Sequence, residues 1–201
     1  MLRSADGVLV PGGFGIRGTE GKIKAARYCR ENKIPYFGIC LGMQIMCIDF
    51  MRHLTKDIRY TSEEFDEEGH VGENFHVICF LPGQHKNKEK GGTLRLGTYP
   101  CHLEKGSKSR ALYKKEDIEE RHRHRYEFNN KFRKEMTKNG MIMAGIYPKE
   151  DLVEITEMKD HPFMIGCQFH PEFLSRPNQP HPLFQGFIEA SRKNAQHKTN
   201  K

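Results

Sequence analysis

The sequence predicts an α/β fold, in which a mostly parallel central sheet is flanked by helices and carries a small antiparallel insertion. Two observations indicate this fold. Short apolar runs with strand character end in glycine-containing turns, and each turn is followed by a segment with helical apolar spacing. Strand, helix, strand and helix in this order form a right-handed βαβ unit, which builds parallel sheets. A chain of 201 residues is long enough for one such domain and too short for two large ones.

The predicted βαβ unit occupies the beginning of the chain. Its first strand, 8–10, is stopped by Pro11 and two glycines, and a helix is predicted over 20–32 because apolar residues recur every third position among charged ones. The second strand, 34–40, ends at a cysteine, and 41–54 follows with broadly apolar helical spacing. Because parallel strands end on the same edge of a sheet, both turns should lie where such sheets bind ligands.

The middle of the chain, roughly 57–127, is richer in glycine, charge and short strands. The runs VICFLPG (77–83) and TLRLGTY (93–99) have strand character and predict the antiparallel insertion. The polar run HKNKEKGG (85–92) predicts a mobile loop between them. The insertion would therefore consist of these two strands and their loop.

The last part of the chain returns to the central sheet. Two strands, 152–158 and 163–169, precede a closing helix over 181–193. We expect one domain over 1–191 and a disordered basic tail over 192–201. A doubly wound domain that opens with this first strand has no earlier strand and helix, so we expect an N-terminally truncated domain.

Composition excludes several classes of protein. The net charge of +7 comes largely from charge runs and the tail, and such runs are usually solvated faces. No aromatic-interleaved strand or recognition helix accompanies them, so we expect no nucleic-acid role. No run reaches the roughly 20 apolar residues that cross a bilayer. The apolar run near the N-terminus is also shorter than a signal-peptide core of about 7–15 residues. The sequence therefore predicts a cytoplasmic protein that does not enter a membrane.

The cysteines and histidines predict neither disulfides nor a metal site. The six cysteines include no C-x-x-C pair, which favours reduced thiols over a disulfide framework or a zinc site. His122 and His124 alternate with arginines, which oppose a cation, and the other histidines lack ligand partners at short spacing. A reduced cysteine remains available as a nucleophile.

Cys40 is the cysteine that fits this role. The sequence G-I-C-L-G holds it between Gly38 and Gly42, at the step from a strand to a helix. This is the cysteine counterpart of the nucleophile elbow. Helix N–H groups at such a turn favour the thiolate. Most cysteines are structural, but strand, glycines and helix agree here, so we expect Cys40 to be the most reactive of the six thiols.

A glycine-rich loop, 11–15, ends the other strand of the same unit. Gly12 and Gly13 can turn their backbone N–H groups into a pocket without side-chain obstruction. Together with the N–H of Leu41, they could hold the oxyanion that forms when Cys40 attacks a carbonyl. A glycine-rich loop alone is most often a turn, and its expected position beside the elbow gives it weight.

The sequence Q-F-H-P-E-F supplies a base and a residue that orients it. Pro171 prevents helical continuation, so we expect His170 and Glu172 to lie two apart in extended chain and to project to the same side. Glu172 could then accept a hydrogen bond from one imidazole nitrogen while the other faces the thiol. An isolated H-P-E is usually a surface turn, and only the elbow elsewhere in the chain favours a catalytic role.

These motifs together resemble the class I glutamine amidotransferases, which have a glycine oxyanion loop, a G-x-C-x-G elbow and a terminal H-P-E. The stretches VPGGFGIRG, GICLGMQ, GGTLRLG, ERHRHRYEFNN and CQFHPEFLSRP resemble the branch of this family that aminates UTP to CTP. The resemblance extends from residue 6 to about residue 191. It implies that Cys40, His170 and Glu172 are the catalytic triad and that the N–H groups of Gly13 and Leu41 hold the oxyanion.

The same resemblance implies a set of residues that bind the substrate L-glutamine: Gly12, Phe14, Gln44, Glu64 and Arg125. A guanidinium suits the α-carboxylate as a bidentate partner, and a carboxylate suits the α-ammonium group. Without the resemblance, Arg125 would belong to a basic surface run and Glu64 to an acidic one.

The resemblance also implies partners beyond this chain. The amidotransferase domain itself needs no cofactor, whereas a synthase domain would bind UTP, ATP and Mg²⁺ and receive the ammonia. No phosphate-binding G-x-x-x-x-G-K-[ST] pattern occurs in these residues, so that domain is absent from the chain. GTP would be an allosteric effector, and the full-length protein would form a homo-oligomer, a tetramer.

Two alternatives remain open from the residues. The chain could supply ammonia to another acceptor, as the amidotransferase part of GMP synthetase does, although the stretches GGTLRLG and RHRHRYE disfavour this alternative. It could also be a non-catalytic fragment, with a correct triad on a truncated scaffold.

Overall fold

The computed structural model describes residues 2–66, 68–80 and 94–199. The strands are β1 (Val8–Val10), β2 (Tyr36–Ile39), β3 (Thr61–Ser62), β4 (His76–Phe80), β5 (Arg95–Leu103), β6 (Asp117–His124), β7 (Tyr126–Phe128), β8 (Met141–Tyr147), β9 (Leu152–Met158) and β10 (Met164–Cys167). The α-helices are α1 (Thr19–Asn32), α2 (Leu41–Thr55), α3 (Lys108–Tyr113), α4 (Arg133–Lys138) and α5 (Pro182–Thr199).

Seven strands form the main sheet, in the order β1-β2-β10-β9-β8-β5-β6, and β3, β4 and β7 form a second, smaller sheet. Pairing is parallel between β1 and β2 and between β2 and β10. It is antiparallel from β10 through β9, β8 and β5 to β6. The predicted α/β fold with flanking helices is therefore confirmed, with a parallel part that carries the elbow and an antiparallel extension.

The two strands of the predicted insertion do not pair with each other. β4 pairs with β3 and β7 in the small sheet, whereas β5 pairs along its length with β6 and at one end with β8 in the main sheet. The reason lies in burial: the apolar residues of β4 belong to one hydrophobic cluster and those at the end of β5 to the other. The loop predicted over 85–92 lies outside the described residues.

The main sheet separates two hydrophobic clusters. Because side chains alternate along a strand, Tyr36 of β2 enters the cluster beneath α1 and α2, whereas Phe37 enters the cluster beneath α3 and α5. Both rings are fully buried. The Tyr36 hydroxyl donates a 2.8 Å hydrogen bond to the carbonyl of Gly42, which ties β2 to the first turn of α2.

The end of the chain is helical where the sequence predicts disorder. α5 continues to Thr199, so the predicted disordered tail is wrong for 192–199. The extra turns are held to the N-terminal segment: Asn194 Nδ2 donates to the carbonyl of Asp6 at 2.9 Å, and Lys198 Nζ donates to the carbonyl of Ala5 at 2.7 Å. Composition alone does not reveal this long-range anchoring. Within the described part of the chain, no helix is long and apolar enough to cross a membrane.

Candidate active site

Cys40 occupies a strained turn between β2 and α2. Its φ of 51° and ψ of −104° are unusual for a residue other than glycine, and such strain typically costs about 1–3 kcal/mol and concentrates at functional sites. Three backbone hydrogen bonds hold it. The N–H of Cys40 donates to the carbonyl of Cys167 at 2.7 Å, and its own carbonyl accepts from the N–H groups of Met43 and Gln44 at 3.1 and 3.2 Å.

The glycines around Cys40 are required by close packing. A Cβ atom on Gly38 would lie 2.5 Å from the carbonyl oxygen of Gly42, and one on Gly42 would lie 2.1 Å from the carbonyl oxygen of Val10 in β1. Carbon and oxygen atoms that are not bonded do not approach so closely. The elbow therefore rests directly on the neighbouring strand, as the G-x-C-x-G pattern predicts.

His170 and Glu172 follow β10 and form the predicted pair. The Nδ1 atom of His170 and the Oε1 atom of Glu172 are 2.6 Å apart. We expected an extended chain between them, and this is wrong, because Pro171–Phe173 form a 3-10 turn. Proline suits the first position of a helical turn because its missing N–H would be unpaired there in any case. The N–H of His170 donates to the carbonyl of Arg121 at 2.8 Å, which fixes the turn to β6.

Gly12 lies between the nucleophile and the base. A methyl group on Gly12 would lie 2.9 Å from Cε1 of His170 and 3.5 Å from Cβ of Cys40. Both side chains therefore border the same small volume. The Nε2 atom of His170 is buried and has no hydrogen-bond partner among the described residues. With Nδ1 committed to Glu172, this nitrogen is the one that can accept a proton beside the thiol.

Burial opposes the thiolate form of Cys40 that the elbow favours. Burial raises the pKa of its thiol to about 12; the N–H of Leu41 opposes this shift, whereas the carboxylates of Glu127, Glu64 and Glu172 add to it. Desolvation outweighs the helix N-terminus, so the thiol needs a base to become a nucleophile.

Glu172 carries the negative charge that orients this base. Its burial alone would raise its pKa, but the hydrogen bond from His170 lowers the pKa below its ordinary value. Its side chain is 43% exposed, compared with 11% for His170. The pair thus extends from solvent to the buried edge of the elbow, with the carboxylate ionised and the imidazole held in one orientation.

The glycine loop borders the start of α2. A Cβ atom on Gly13 would lie 3.1 Å from Cδ2 of Leu41, so the two residues expected to hold an oxyanion are neighbours. Gly12 borders Cys40 from the same loop. The side chain of Phe14 projects outward and is 59% exposed.

The remaining residues expected to bind substrate come from three other elements. Glu64, in a 3-10 turn after β3, accepts a 2.7 Å hydrogen bond from the N–H of Gly15 and so joins the glycine loop. Gln44 is buried in α2, and its Nε2 atom donates to the carbonyl of Tyr126 at 3.3 Å. Arg125 directly precedes Tyr126, between β6 and β7. The structure therefore links Gln44 to the backbone beside Arg125.

Sequence reasoning missed Gln168. This side chain is fully buried, and its Nε2 atom lies 3.7 Å from the sulfur of Cys40, in hydrogen-bonding geometry. Its Oε1 atom accepts from Nε2 of Gln44 at 3.3 Å. A signal existed in the sequence: Gln168 lies two residues before His170, and residues two apart in a strand project to the same side.

Sequence reasoning also missed a buried charge cluster beside the site. Arg95 Nη1 lies 2.5 Å from Oε1 of Glu154 and 3.2 Å from Oε1 of Glu127. Burial raises the pKa of both carboxyls and lowers the pKa of His122 and His124, the latter to about 3. The two imidazoles hydrogen-bond to each other at 2.8 Å. The alternating motif of β6 thus buries its histidines as neutral groups and exposes the arginines between them.

Comparison with known proteins matches this chain to one protein family and to similar relatives. Residues 1–190 match the protein family described as glutamine amidotransferase class-I. The CTP synthase of Staphylococcus epidermidis is 53% identical over 190 residues, 94% of this chain and 35% of that protein. The CTP synthase of Moorella thermoacetica is 53% identical over 191 residues, 95% of this chain and 35% of that protein.

A solved structure is also similar. The glutaminase domain of Trypanosoma brucei CTPS with bound acivicin superposes with a TM-score of 0.86 and 36% identity, covering 96% of this chain and 73% of that one. The chain spans only about a third of the length of the curated relatives it matches.

Proposed function

The chain belongs to the glutamine amidotransferase class-I family, close to the glutaminase domains of CTP synthases, and we propose that it hydrolyses glutamine to glutamate and ammonia with Cys40, His170 and Glu172. The observation that carries this proposal is the arrangement around Gly12, where the thiol-bearing carbon and the imidazole border one volume. A buried Nε2 atom without a partner among the described residues is available there to take the thiol proton.

The first half of the reaction forms a thioester. His170 Nε2 accepts the proton of the Cys40 thiol, and the sulfur attacks the side-chain amide carbon of glutamine. The N–H groups of Gly13 and Leu41 stabilise the resulting oxyanion. The imidazolium then returns its proton to the amide nitrogen, the carbon–nitrogen bond breaks, and ammonia departs.

The second half releases glutamate. His170 now accepts a proton from water, whose oxygen attacks the thioester carbon, and a second tetrahedral oxyanion forms in the same place. The carbon–sulfur bond breaks, glutamate leaves, and the sulfur of Cys40 recovers its proton. Glu172 keeps the imidazole in one tautomer and stabilises its positive charge during both halves.

The substrate would be held at its α-carbon by charges on opposite sides of the site. In this proposal Arg125 pairs with the α-carboxylate and Glu64 with the α-ammonium group. Gly12, Phe14 and Gln44 complete the glutamine pocket. The hydrogen bond from Gly15 to Glu64 supports this, because it holds the carboxylate beside the glycine loop.

The ammonia would serve the amination of UTP to CTP in a larger, cytoplasmic protein. The names and the 53% identity of the matched CTP synthases support this acceptor over that of GMP synthetase. The synthase part, which would bind UTP, ATP and Mg²⁺, would lie in the roughly two thirds of those relatives that this chain does not span. Regulation by GTP and assembly into a tetramer would be properties of that full-length protein.

Ammonia release from glutamine by the purified chain tests the proposal. We compare Cys40→Ala with Cys47→Ala, since Cys47 is a second buried thiol, inside the helix that follows Cys40, and lies outside the proposed site. Activity lost only in Cys40→Ala supports the proposal. A folded chain that releases no ammonia, or equal loss in both variants, contradicts it and favours the non-catalytic alternative.

A further inference from the structure

We propose that Gln168 is a positioning residue for the nucleophile, whose side-chain amide holds the sulfur of Cys40 and favours its thiolate form. This inference rests on the proposed function. It concerns the deprotonation of the thiol before attack. In the triad, His170 is the only group that assists this step.

The orientation of the Gln168 amide follows from its neighbours. The carbonyl of Tyr126 can only accept a hydrogen bond, so Gln44 must present its NH₂ group there, at 3.3 Å. The same NH₂ group lies 3.3 Å from Gln168, which must therefore turn its oxygen toward Gln44. The NH₂ group of Gln168 is left facing the sulfur of Cys40 at 3.7 Å. A backbone carbonyl thus fixes the direction of both amides.

Gln168 is also fixed at its backbone. Its N–H donates to the carbonyl of Glu154 in β9 at 2.8 Å, and its side chain is fully buried. It directly follows β10, whose last residue, Cys167, accepts the hydrogen bond from the N–H of Cys40. The amide and the elbow are therefore attached to the same strand, so their separation does not depend on a mobile loop.

The charges around the sulfur explain why such a donor matters. The carboxylates of Glu127, Glu64 and Glu172 face Cys40 and raise the pKa of its thiol, because each opposes a second negative charge. The N–H of Leu41 opposes that effect, and the NH₂ group of Gln168 lies in hydrogen-bonding geometry to the same sulfur. A thiolate accepts hydrogen bonds more strongly than a thiol, so a fixed neutral donor favours the ionised form.

The donor would act in both halves of the reaction. It would stabilise the sulfur as the thiol proton moves to His170, and again when the thioester expels sulfur as a leaving group. Neither step alters the charges that hold glutamine at its α-carbon, and Gln44 keeps its hydrogen bond to the carbonyl of Tyr126 when Gln168 is replaced. Loss of the donor should therefore lower kcat and leave KM nearly unchanged.

Gln168→Met tests the proposal, because methionine keeps the length of the side chain and removes the donor. The matched control is Thr156→Val, which removes the hydroxyl 3.9 Å from the sulfur of Cys47, another buried side-chain partner of a thiol. The first readout is the rate at which iodoacetamide alkylates Cys40, followed by peptide mass spectrometry between neutral and mildly alkaline pH. The second readout is kcat and KM for glutamine hydrolysis.

We expect Gln168→Met to lower the alkylation rate of Cys40 about tenfold at each pH, because a hydrogen bond to a charged group changes the thiolate fraction by roughly that factor. Its rate should rise with pH in parallel with that of the wild type, and kcat should fall by about the same factor. Thr156→Val should leave both readouts unchanged. An unchanged Cys40 rate in Gln168→Met, or an equal fall in Thr156→Val, overturns the proposal.

Gln168→Glu covers the case in which the methionine variant does not fold. Glutamate has the shape of glutamine and can still accept from Gln44, but it turns an acceptor toward the sulfur, so the alkylation rate should fall further than tenfold. A rate equal to that of the wild type overturns the proposal. The alkylation readout needs no glutamine hydrolysis. A wild type that alkylates at Cys40 but releases no ammonia would therefore refute the proposed function, and the alkylation rates of the Gln168 variants would still decide the role of Gln168.

Discussion

The contact between the elbow and the neighbouring strand makes Gly42 a sensitive position. The helix α2 begins so close to β1 that a Cβ atom on Gly42 would lie 2.1 Å from the carbonyl oxygen of Val10, 3.0 Å from its carbonyl carbon and 3.2 Å from its Cβ. The nearest of these atoms belong to backbone in a paired strand and cannot rotate away. Gly42→Ala therefore has to separate two backbone segments.

The cost follows from the distances. The Cβ–oxygen separation has to increase from 2.1 Å to at least 3.0 Å, which means that α2 or β1 shifts by almost 1 Å. Overpacking in a close-packed interior usually costs about 1–3 kcal/mol, and we expect the upper end, about 3 kcal/mol, because the obstacle is backbone. For a domain of this size the melting temperature should fall by about 6–12 °C, since each kcal/mol corresponds to about 2–4 °C.

Thermal unfolding followed by circular dichroism measures this loss, and Gly21→Ala is the matched control. Gly21 lies inside α1, where a Cβ atom would meet nothing within 4 Å. Gly21 is the third residue of α1, so the advantage of alanine over glycine in a helix interior, about 0.5–1 kcal/mol, is an upper bound there, and this variant should melt at or slightly above the wild type. If Gly42→Ala melts at the temperature of the wild type, or if both variants lose stability equally, the close approach at the elbow does not govern stability.

Three further predictions concern charges. Glu172→Gln should lower kcat roughly 100-fold or more with little change in KM, since it removes the carboxylate 2.6 Å from His170; an unchanged kcat would contradict the triad. Burial lowers the pKa of His124 to about 3, so the unfolded chain binds the extra proton below about pH 6.5 and stability falls with acidification. Urea unfolding at several pH values should show that His124 contributes a fall of about 1.4 kcal/mol in unfolding free energy per pH unit. His124→Gln should therefore lose less stability per pH unit than the wild type; the same pH dependence in both proteins would refute the prediction. Asp49→Ala should cost about 3–5 kcal/mol, because it removes the buried carboxylate 2.8 Å from Nε of Arg30 and leaves this largely buried guanidinium with the more exposed Glu31 at 3.6 Å. A loss below about 1 kcal/mol would mean that the pair behaves as a surface ion pair.

Local sterics explain which parts of the site could be predicted. The elbow was predictable because glycines on both sides of Cys40, between an apolar strand and a helix, leave few conformations for the turn. The pairing of His170 with Glu172 was predictable from their spacing, although the chain between them forms a 3-10 turn. Both features depend on residues close together in the sequence.

Long-range packing explains what was missed. The hydrogen bond from Gln168 to the sulfur joins residues that are 128 positions apart in the sequence. The partner of β5 was not predictable either, because the choice between β4 and β6 depends on which hydrophobic cluster each strand faces. The helical end of α5 likewise depends on hydrogen bonds to Asp6 and its neighbour at the other end of the chain.

The sequence by itself determined the α/β class, the elbow at Cys40 and the pairing of His170 with Glu172, because each follows from backbone sterics over a few residues. The tertiary structure decided that His170 and Cys40 border the same glycine. It also decided that the pKa of the thiol is raised, because the sulfur is buried and carboxylates from distant elements lie near it. Such electrostatics depend on distances in space, which spacing along the chain does not contain.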